Sequence, residues 1–448
     1  MLKNLFPATL AGLGVLLVAS AQAEEPARLT IADAAKRALA QYPSIAAARS
    51  REDVARRELG EANAQWFPQL SAAASATRYE DPMVVTPIHG FGPGILPEFD
   101  DTLLQGALTA DWLLFDGGGR GARIGQRRSL LEAASADETA SEQMLLGRTV
   151  AGYLRVVGYA STLAAHDRRL EALESEQHRV QQLKEVGRAA DVDLRRVDAE
   201  LAAAHAERVR LASALDVAER DLARWVGVDV AETRASRLGS VALADTSLPA
   251  RDALLEAALA ASPAVRAAAR RADAAGRAVT AARSARWPNL HVVGNYLSYG
   301  NSDADFKNEW NAGLKLQLPL FTGGALSSRI AQSQASREAA DADLRLARLR
   351  LTEDLDRALA SRDEARSRVQ SLRTAAAEFA EVARIEQLRL ESEAGTQTDF
   401  LEAEAQLLGA EAQLVEARHA EIVARVEIAR ITGTLDLAWI EKTLEAES

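Results

Sequence analysis

The chain has 448 residues, enough for two or three ordinary domains, and it is rich in alanine and charged residues with only 5% aromatics. Such a composition favours long helices over a compact mixed core. The formal charge of −11 argues against a general affinity for nucleic acid, and a chain without cysteine has no disulfides or thiolate metal sites.

Residues 1–23 read as a secretory signal. Lys3 gives the positive start, Leu10 to Val18 the short apolar core, and Ala21-Gln22-Ala23 the small-residue cleavage site. The expected mature chain begins at Glu24 and, lacking cysteine, is not lipidated. The apolar core is too short for a retained membrane anchor, and no later apolar run is long enough for a transmembrane helix.

Beyond the signal the chain repeats itself. A helical segment opening at Tyr42-Pro43 and closing at Trp66-Phe67-Pro68 recurs at Ser262-Pro263 and Arg286-Trp287-Pro288, a shift of 220. Downstream the shift is 206, carrying Phe115 to Phe321, Asp193 to Asp399 and Gly227 to Gly433. The difference of 14 residues falls in a proline- and glycine-rich loop from Asp81 to Asp101. The expected units are a first repeat over 24–227, a linker over 228–248, a second repeat over 249–433 and a tail over 434–448.

Each repeat reads helix, strand, loop, strand, very long helix, break, long helix. The expected strands are about 70–79, 103–115, 290–299 and 309–321. The stretch Trp310 to Gly324 is the clearest. Trp310, Ala312, Leu314, Leu316, Leu318 and Leu320 alternate with Asn311, Gly313, Lys315 and Gln317, giving one apolar and one polar face. Gly117-Gly118 and Gly323-Gly324 read as joints between strand and helix. The helices after them run to about 186 and 393, each about 100 Å long at 1.5 Å per residue. Helices of that length pack side by side, and alanines such as Ala335, Ala339, Ala340 and Ala342 permit close approach. Each then breaks at a tip glycine, Gly187 or Gly395, and returns as an antiparallel partner.

Four strands cannot close a barrel, and open edges are not tolerated in lipid. Strands in a membrane would therefore come from several subunits, and three copies would supply twelve. The alternative is a soluble four-stranded sheet, which should carry fewer leucines on its second face.

Catalytic signatures are absent: the sequence holds neither a phosphate-binding loop nor a His-Glu-x-x-His metal motif. No cofactor is expected. Asp116-Gly117-Gly118-Gly119-Arg120-Gly121 lacks the context of a dinucleotide site and reads as a swivel. The six histidines have no ligand spacing, and three methionines give no route for soft copper ions. Acids gather at the hairpin tips: Asp191 and Asp193 after Gly187, then Asp399 and Glu402 after Gly395. Helix capping accounts for Asp193 and Asp399. In a symmetric assembly the same acids would also form rings that favour cations.

This pattern resembles the TolC-like outer-membrane efflux proteins over essentially the whole mature chain. The likeness rests on the duplicated Pro43/Pro68 and Pro263/Pro288 segments, the strand–Phe–x–Gly–Gly joins at Phe115 and Phe321, and the glycine-then-Asp returns ending at Gly227 and Gly433. It implies an α+β membrane protein: a homotrimer with one twelve-stranded outer-membrane β-barrel continued by a long antiparallel α-helical periplasmic tunnel. It also implies a passive exit channel, not an enzyme, set in outer-membrane lipid. Such a channel serves a tripartite efflux or type I secretion system beside a periplasmic adaptor and an inner-membrane RND, ABC or MFS pump. The aperture acids would be Asp399, Glu402 and Asp193, and the bilayer would end near Phe321. The Gly395–Asp399 spacing is two residues shorter than Gly187–Asp193, and Gln397 stands where a basic latch residue is usual. The competing function is a periplasmic coiled-coil adaptor, which would need one helical hairpin rather than two.

Overall fold

The computed structural model describes residues 28–87, 94, 97–235, 237–244, 247–392 and 394–446. The expected signal, 1–23, and part of the Asp81–Asp101 loop lie outside them. In chain order the elements begin β1 (Arg28–Leu29), α1 (Ile31–Gln41), α2 (Pro43–Ala64), β2 (Gln69–Val84), β3 (Phe99–Phe115), α3 (Gly119–Glu185) and α4 (Asp191–Val226). A short segment follows, with α5 (Val230–Ala235), β4 (Arg237–Leu238) and β5 (Val241–Leu243). The order then recurs as α6 (Arg251–Ala261), α7 (Pro263–Ser284), β6 (Asn289–Gly300), β7 (Phe306–Gln317), α8 (Ala325–Glu391) and α9 (Gln397–Ile431). The described chain closes with α10 (Leu437–Thr443) and β8 (Leu444–Ala446).

Pro43 and Pro263 each open a helix, where a missing N–H costs nothing and the fixed φ suits the first turn. Strands β2-β3-β6-β7 form one antiparallel sheet in that order. The two hairpins share a register: Gln69 faces Asp111 as Asn289 faces Gln317, and Thr77 faces Leu103 as Leu297 faces Glu309. Alternation gives the sheet two chemistries. Leu70, Leu108, Tyr296, Leu314 and Leu316 share the apolar face, all exposed or half-buried. Ser71, Thr109, Asn295, Asn311 and Lys315 share the other, where Asn295 Nδ2 donates to Asn311 Oδ1 at 2.9 Å and His291 bonds Asp111 at 2.8 Å. Strands β2 and β7 each have one neighbour, so both sheet edges are open in the single chain.

Three expectations need correction. The first hairpin is longer than 70–79 and 103–115, because β2 continues to Val84 and β3 starts at Phe99. Pro82 is accommodated there on an edge strand, beside a register shift between Arg78 and Met83. Strand β7 covers 306–317 rather than 309–321. Its end precedes Pro319, which has no N–H to donate, whereas β3 reaches Phe115 because β6 pairs along it. Finally, 228–248 is more than a linker and 434–448 more than a tail. Strand β4 pairs with β1, and β5 pairs with β8.

Those short elements surround the main apolar core, at the middle of α3 and the C-terminal ends of α4 and α9. Tyr153 is 1% exposed there among Leu146, Leu222, Val226, Ile422, Leu435 and Ile440. Its hydroxyl donates to the Leu29 carbonyl at 2.9 Å and accepts from the Gly239 N–H at 2.9 Å, fastening β1 and the turn before β5 to α3. Among the described residues no helix is long and apolar enough to cross a membrane.

Candidate functional site

Two sets of residues mark the ends of the long helices: the joints where strand becomes helix, and the hairpin tips at the far end of those helices. At the joints, Gly117, Gly118, Gly323 and Gly324 have φ of 64°, 84°, 58° and 84°, a left-handed region that favours glycine. Gly118 and Gly324 are the residues that cap α3 and α8. A Cβ on Gly117 would lie 2.5 Å from the Trp287 Cβ, whereas one on Gly323 would meet nothing within 4 Å.

The first joint is clasped by side chains that the sequence reading passed over. Buried Asp116 accepts from the Arg120 backbone N–H and, at 3.0 Å, from the Arg123 guanidinium. The Arg120 guanidinium, on a residue 5% exposed, donates to the carbonyls of Gln65, Leu113 and Leu114. It also stacks 3.7 Å from the centre of the Trp66 ring. The signal was available: Asp116, Arg120 and Arg123 are spaced by four and three, one helical face just after a strand end.

At the tips, α3 and α4 are separated by residues 186–190, and α8 and α9 by residues 392–396. The loops are equally long, so the different glycine-to-aspartate spacing reflects glycines at different loop positions. Gly187 has φ 74°. Gly395 instead lets the chain pass close, because a Cβ there would lie 2.8 Å from the Arg389 Cβ. The same reverse hydrogen bond closes both helices: Arg188 N–H to the Leu183 carbonyl and Ala394 N–H to the Arg389 carbonyl, each 2.8 Å.

Asp193 and Asp399 both sit three residues after the capping position. Asp193 accepts from the Ala190 N–H at 3.0 Å. Asp399 accepts from the Thr396 hydroxyl at 2.7 Å, and Thr396 Oγ1 accepts from the Asp399 N–H at 3.2 Å. The structure therefore ties both aspartates to helix starts, each with one half of a capping box: the Asp193 carboxylate on the Ala190 N–H, and the Thr396 hydroxyl on the Asp399 N–H. Asp399 and Glu402 are exposed, one turn apart, on the same helix. The first tip adds an ion-pair cluster: Asp191 bonds Lys184 Nζ at 2.5 Å and Arg195 Nε at 2.8 Å. Those hydrogen bonds, Lys184 first, hold the Asp191 carboxyl down at about 2. Behind the second tip, half-buried Glu404 is shifted upward by desolvation, opposed by the charge of Arg169.

Comparison with known proteins agrees with this architecture. The family model for outer membrane efflux proteins matches residues 34–228 and 254–434. Outer membrane efflux protein BepC of Brucella suis biovar 1 (strain 1330) is 24% identical over 330 residues, covering 72% of this chain and 70% of its own. A membrane protein from Pseudomonas aeruginosa superposes with a TM-score of 0.78 at 21% identity, covering 90% of this chain and 93% of that one. The CmeC outer membrane channel of Campylobacter jejuni gives 0.79 at 16% identity, over 92% and 88% of the two chains. These structural likenesses establish the shared fold, and the family match, in two segments spanning both halves, establishes more: the chain belongs to the outer membrane efflux protein family.

Proposed function

We propose that three copies of this chain form a passive outer-membrane exit duct. Each copy would give four strands to one twelve-stranded barrel, and the long helices would continue it as a tunnel into the periplasm. The observation that carries this reading is the sheet itself: apolar on one face, polar on the other, open at both edges, and running directly into 67-residue helices. Closing the sheet with further copies removes the unpaired edges, which lipid does not tolerate. The polar face with Lys315, Asn311 and Asp111 would line the water-filled interior, and the bilayer would end near Phe321.

The helical end would receive cargo from a periplasmic adaptor and an inner-membrane pump of the RND, ABC or MFS class. Asp399, Glu402 and Asp193 would form the aperture there. In three copies each acid becomes a ring of three, which lowers the energy of cations at a constriction. The adaptor reading fits less well, because the strand hairpin and the helical hairpin are both present twice. Membrane fractionation followed by native mass measurement tests the proposal. The expected result is a three-copy species in outer-membrane fractions; a soluble single chain in the periplasm would overturn it.

A further inference from the structure

Charge is unevenly distributed along this acidic chain. Three helical segments adjoin the sheet: 119–131 at the start of α3, 274–288 at the end of α7 and beyond it, and 325–337 at the start of α8. Together they hold nine arginines and no acid, in a chain whose formal charge is −11. The runs end at Glu132, Asp273 and Glu338. The end of α2 is balanced, with Arg56 and Arg57 beside Glu58 and Glu61.

Contacts put the α3 and α7 segments at one level. Trp287 lies against Gly117, Arg277 crosses Gly125, and Arg270 pairs with Glu132 at 3.0 Å where the runs stop. At 1.5 Å per residue the collar is about 20 Å deep. Within it Arg120 is buried in the joint, Arg123 pairs with Asp116 and Arg127 with Glu58. Arg128, Arg277, Arg283, Arg286 and Arg329 are exposed, and among the described residues none of them has a carboxylate partner. Farther along α8, exposed arginines find acids one turn away, as Arg357 does with Glu353 and Arg384 with Glu381. Unpaired like charges repel, so the collar costs the folded chain stability unless an anion covers it.

An apolar rim adjoins the collar on the strand side. Phe321 is 91% exposed, Leu320 89% and Trp287 60%, and Trp287 directly follows Arg286. Aromatic rings settle at the level of lipid headgroups, and the planar guanidinium fork matches phosphate oxygens. Apolar side chains beside unpaired guanidinium groups supply both halves of a contact with phospholipid, one for the acyl chain and one for the phosphate.

We propose that this collar binds the phosphates of anionic phospholipids in the leaflet nearest the helices, through Arg128, Arg283 and Arg286, with Trp287 and Phe321 among the upper acyl chains. The inference takes the bilayer edge near Phe321 from the reading above and adds a lipid class and the residues that select it.

The test uses the full chain, purified in neutral detergent and titrated in parallel with phosphatidylglycerol and phosphatidylcholine, with bound lipid read by native mass. The expected result is preferential retention of phosphatidylglycerol. Arg128→Gln, Arg283→Gln and Arg286→Gln combined should weaken that retention about tenfold and leave phosphatidylcholine unchanged. Arg286→Gln alone should weaken it about threefold, which serves if the triple variant does not assemble. Removing three exposed arginines far from the collar, by Arg196→Gln, Arg366→Gln and Arg373→Gln, should have no such effect. Equal retention of the two lipids, or undiminished phosphatidylglycerol binding in the collar variants, overturns the proposal. Inorganic phosphate that displaces the lipid would make this a site for soluble anions and overturn it as well. A changed ion preference in bilayers with unchanged lipid retention would put these arginines on the tunnel wall instead. Each of those results leaves the duct reading intact, whereas a soluble single chain in the periplasm overturns both.

Discussion

At the first strand-to-helix joint, Asp116, Arg120, Arg123 and Trp66 tie the strand end, the helix start and the preceding loop together. At the second, Thr322, Leu326 and Arg329 occupy the matching positions, and the corresponding bond is Leu326 N–H to Thr322 Oγ1 at 3.4 Å. Both joints use the same left-handed glycine pair. Backbone direction is thus set locally by glycine, while rigidity comes from whatever packs around the bend. The first joint finds its clasp within the chain, whereas the second has open space over Gly323.

The largest expected difference between the joints is at Arg120. Arg120→Ala should cost about 3 kcal/mol, because three carbonyls and an aromatic face lose a buried cation. Leu326→Ala should cost about 1 kcal/mol, a half-buried aliphatic loss. Heat stability of the detergent-solubilised variants checks both, and equal losses would remove the distinction.

Next come the glycines. Gly117→Ala should cost about 2–3 kcal/mol from left-handed strain plus the Trp287 clash. In a lone chain Gly323→Ala should cost only about 1 kcal/mol, the strain alone. Thermal unfolding of the two glycine variants side by side checks the gap, and equal losses would mean that the second joint is as closely covered as the first.

The tips offer a smaller, local contrast. Thr396 caps α9 through its side chain, whereas Ala190 has none to offer α4. Thr396→Ala should weaken its tip by about 1 kcal/mol, and Ala190→Ser should strengthen the other by a similar amount. Amide exchange of the first turns of α4 and α9 reads each change separately. Acid should distinguish the tips as well. Asp191 is depressed from 3.8 to about 2, so its contribution is present above pH 4 and lost as pH falls through 2. Exchange in the first turn of α4 should accelerate across that window, and Asp191→Asn should abolish the acceleration.

Much of this architecture is legible in the sequence because its signals are local. Alternation of Leu314 and Leu316 with Lys315 reads a strand, paired glycines read a bend, and a long run without proline reads a long helix. The less legible parts depend on contacts far apart in sequence. Pairing of β5 with β8 joins residue 241 to residue 446, and three-residue strands carry no period to detect. Pro82 suggested a loop because nothing in the sequence says that β2 is an edge. At the tips, glycine position misled the comparison of spacings, since Gly187 serves a left-handed turn and Gly395 a close approach. The Asp191–Lys184 pair spans two helices across a loop, so only the Asp191–Arg195 half follows from spacing.

The most direct test of the central claim is current through the purified protein in a planar lipid bilayer. The account predicts a cation-preferring pore, with Asp399→Ala raising single-channel conductance or weakening the cation preference. A protein that inserts but carries no current in either form would contradict the duct, and an unchanged current and ion preference in Asp399→Ala would leave that aspartate with helix capping alone.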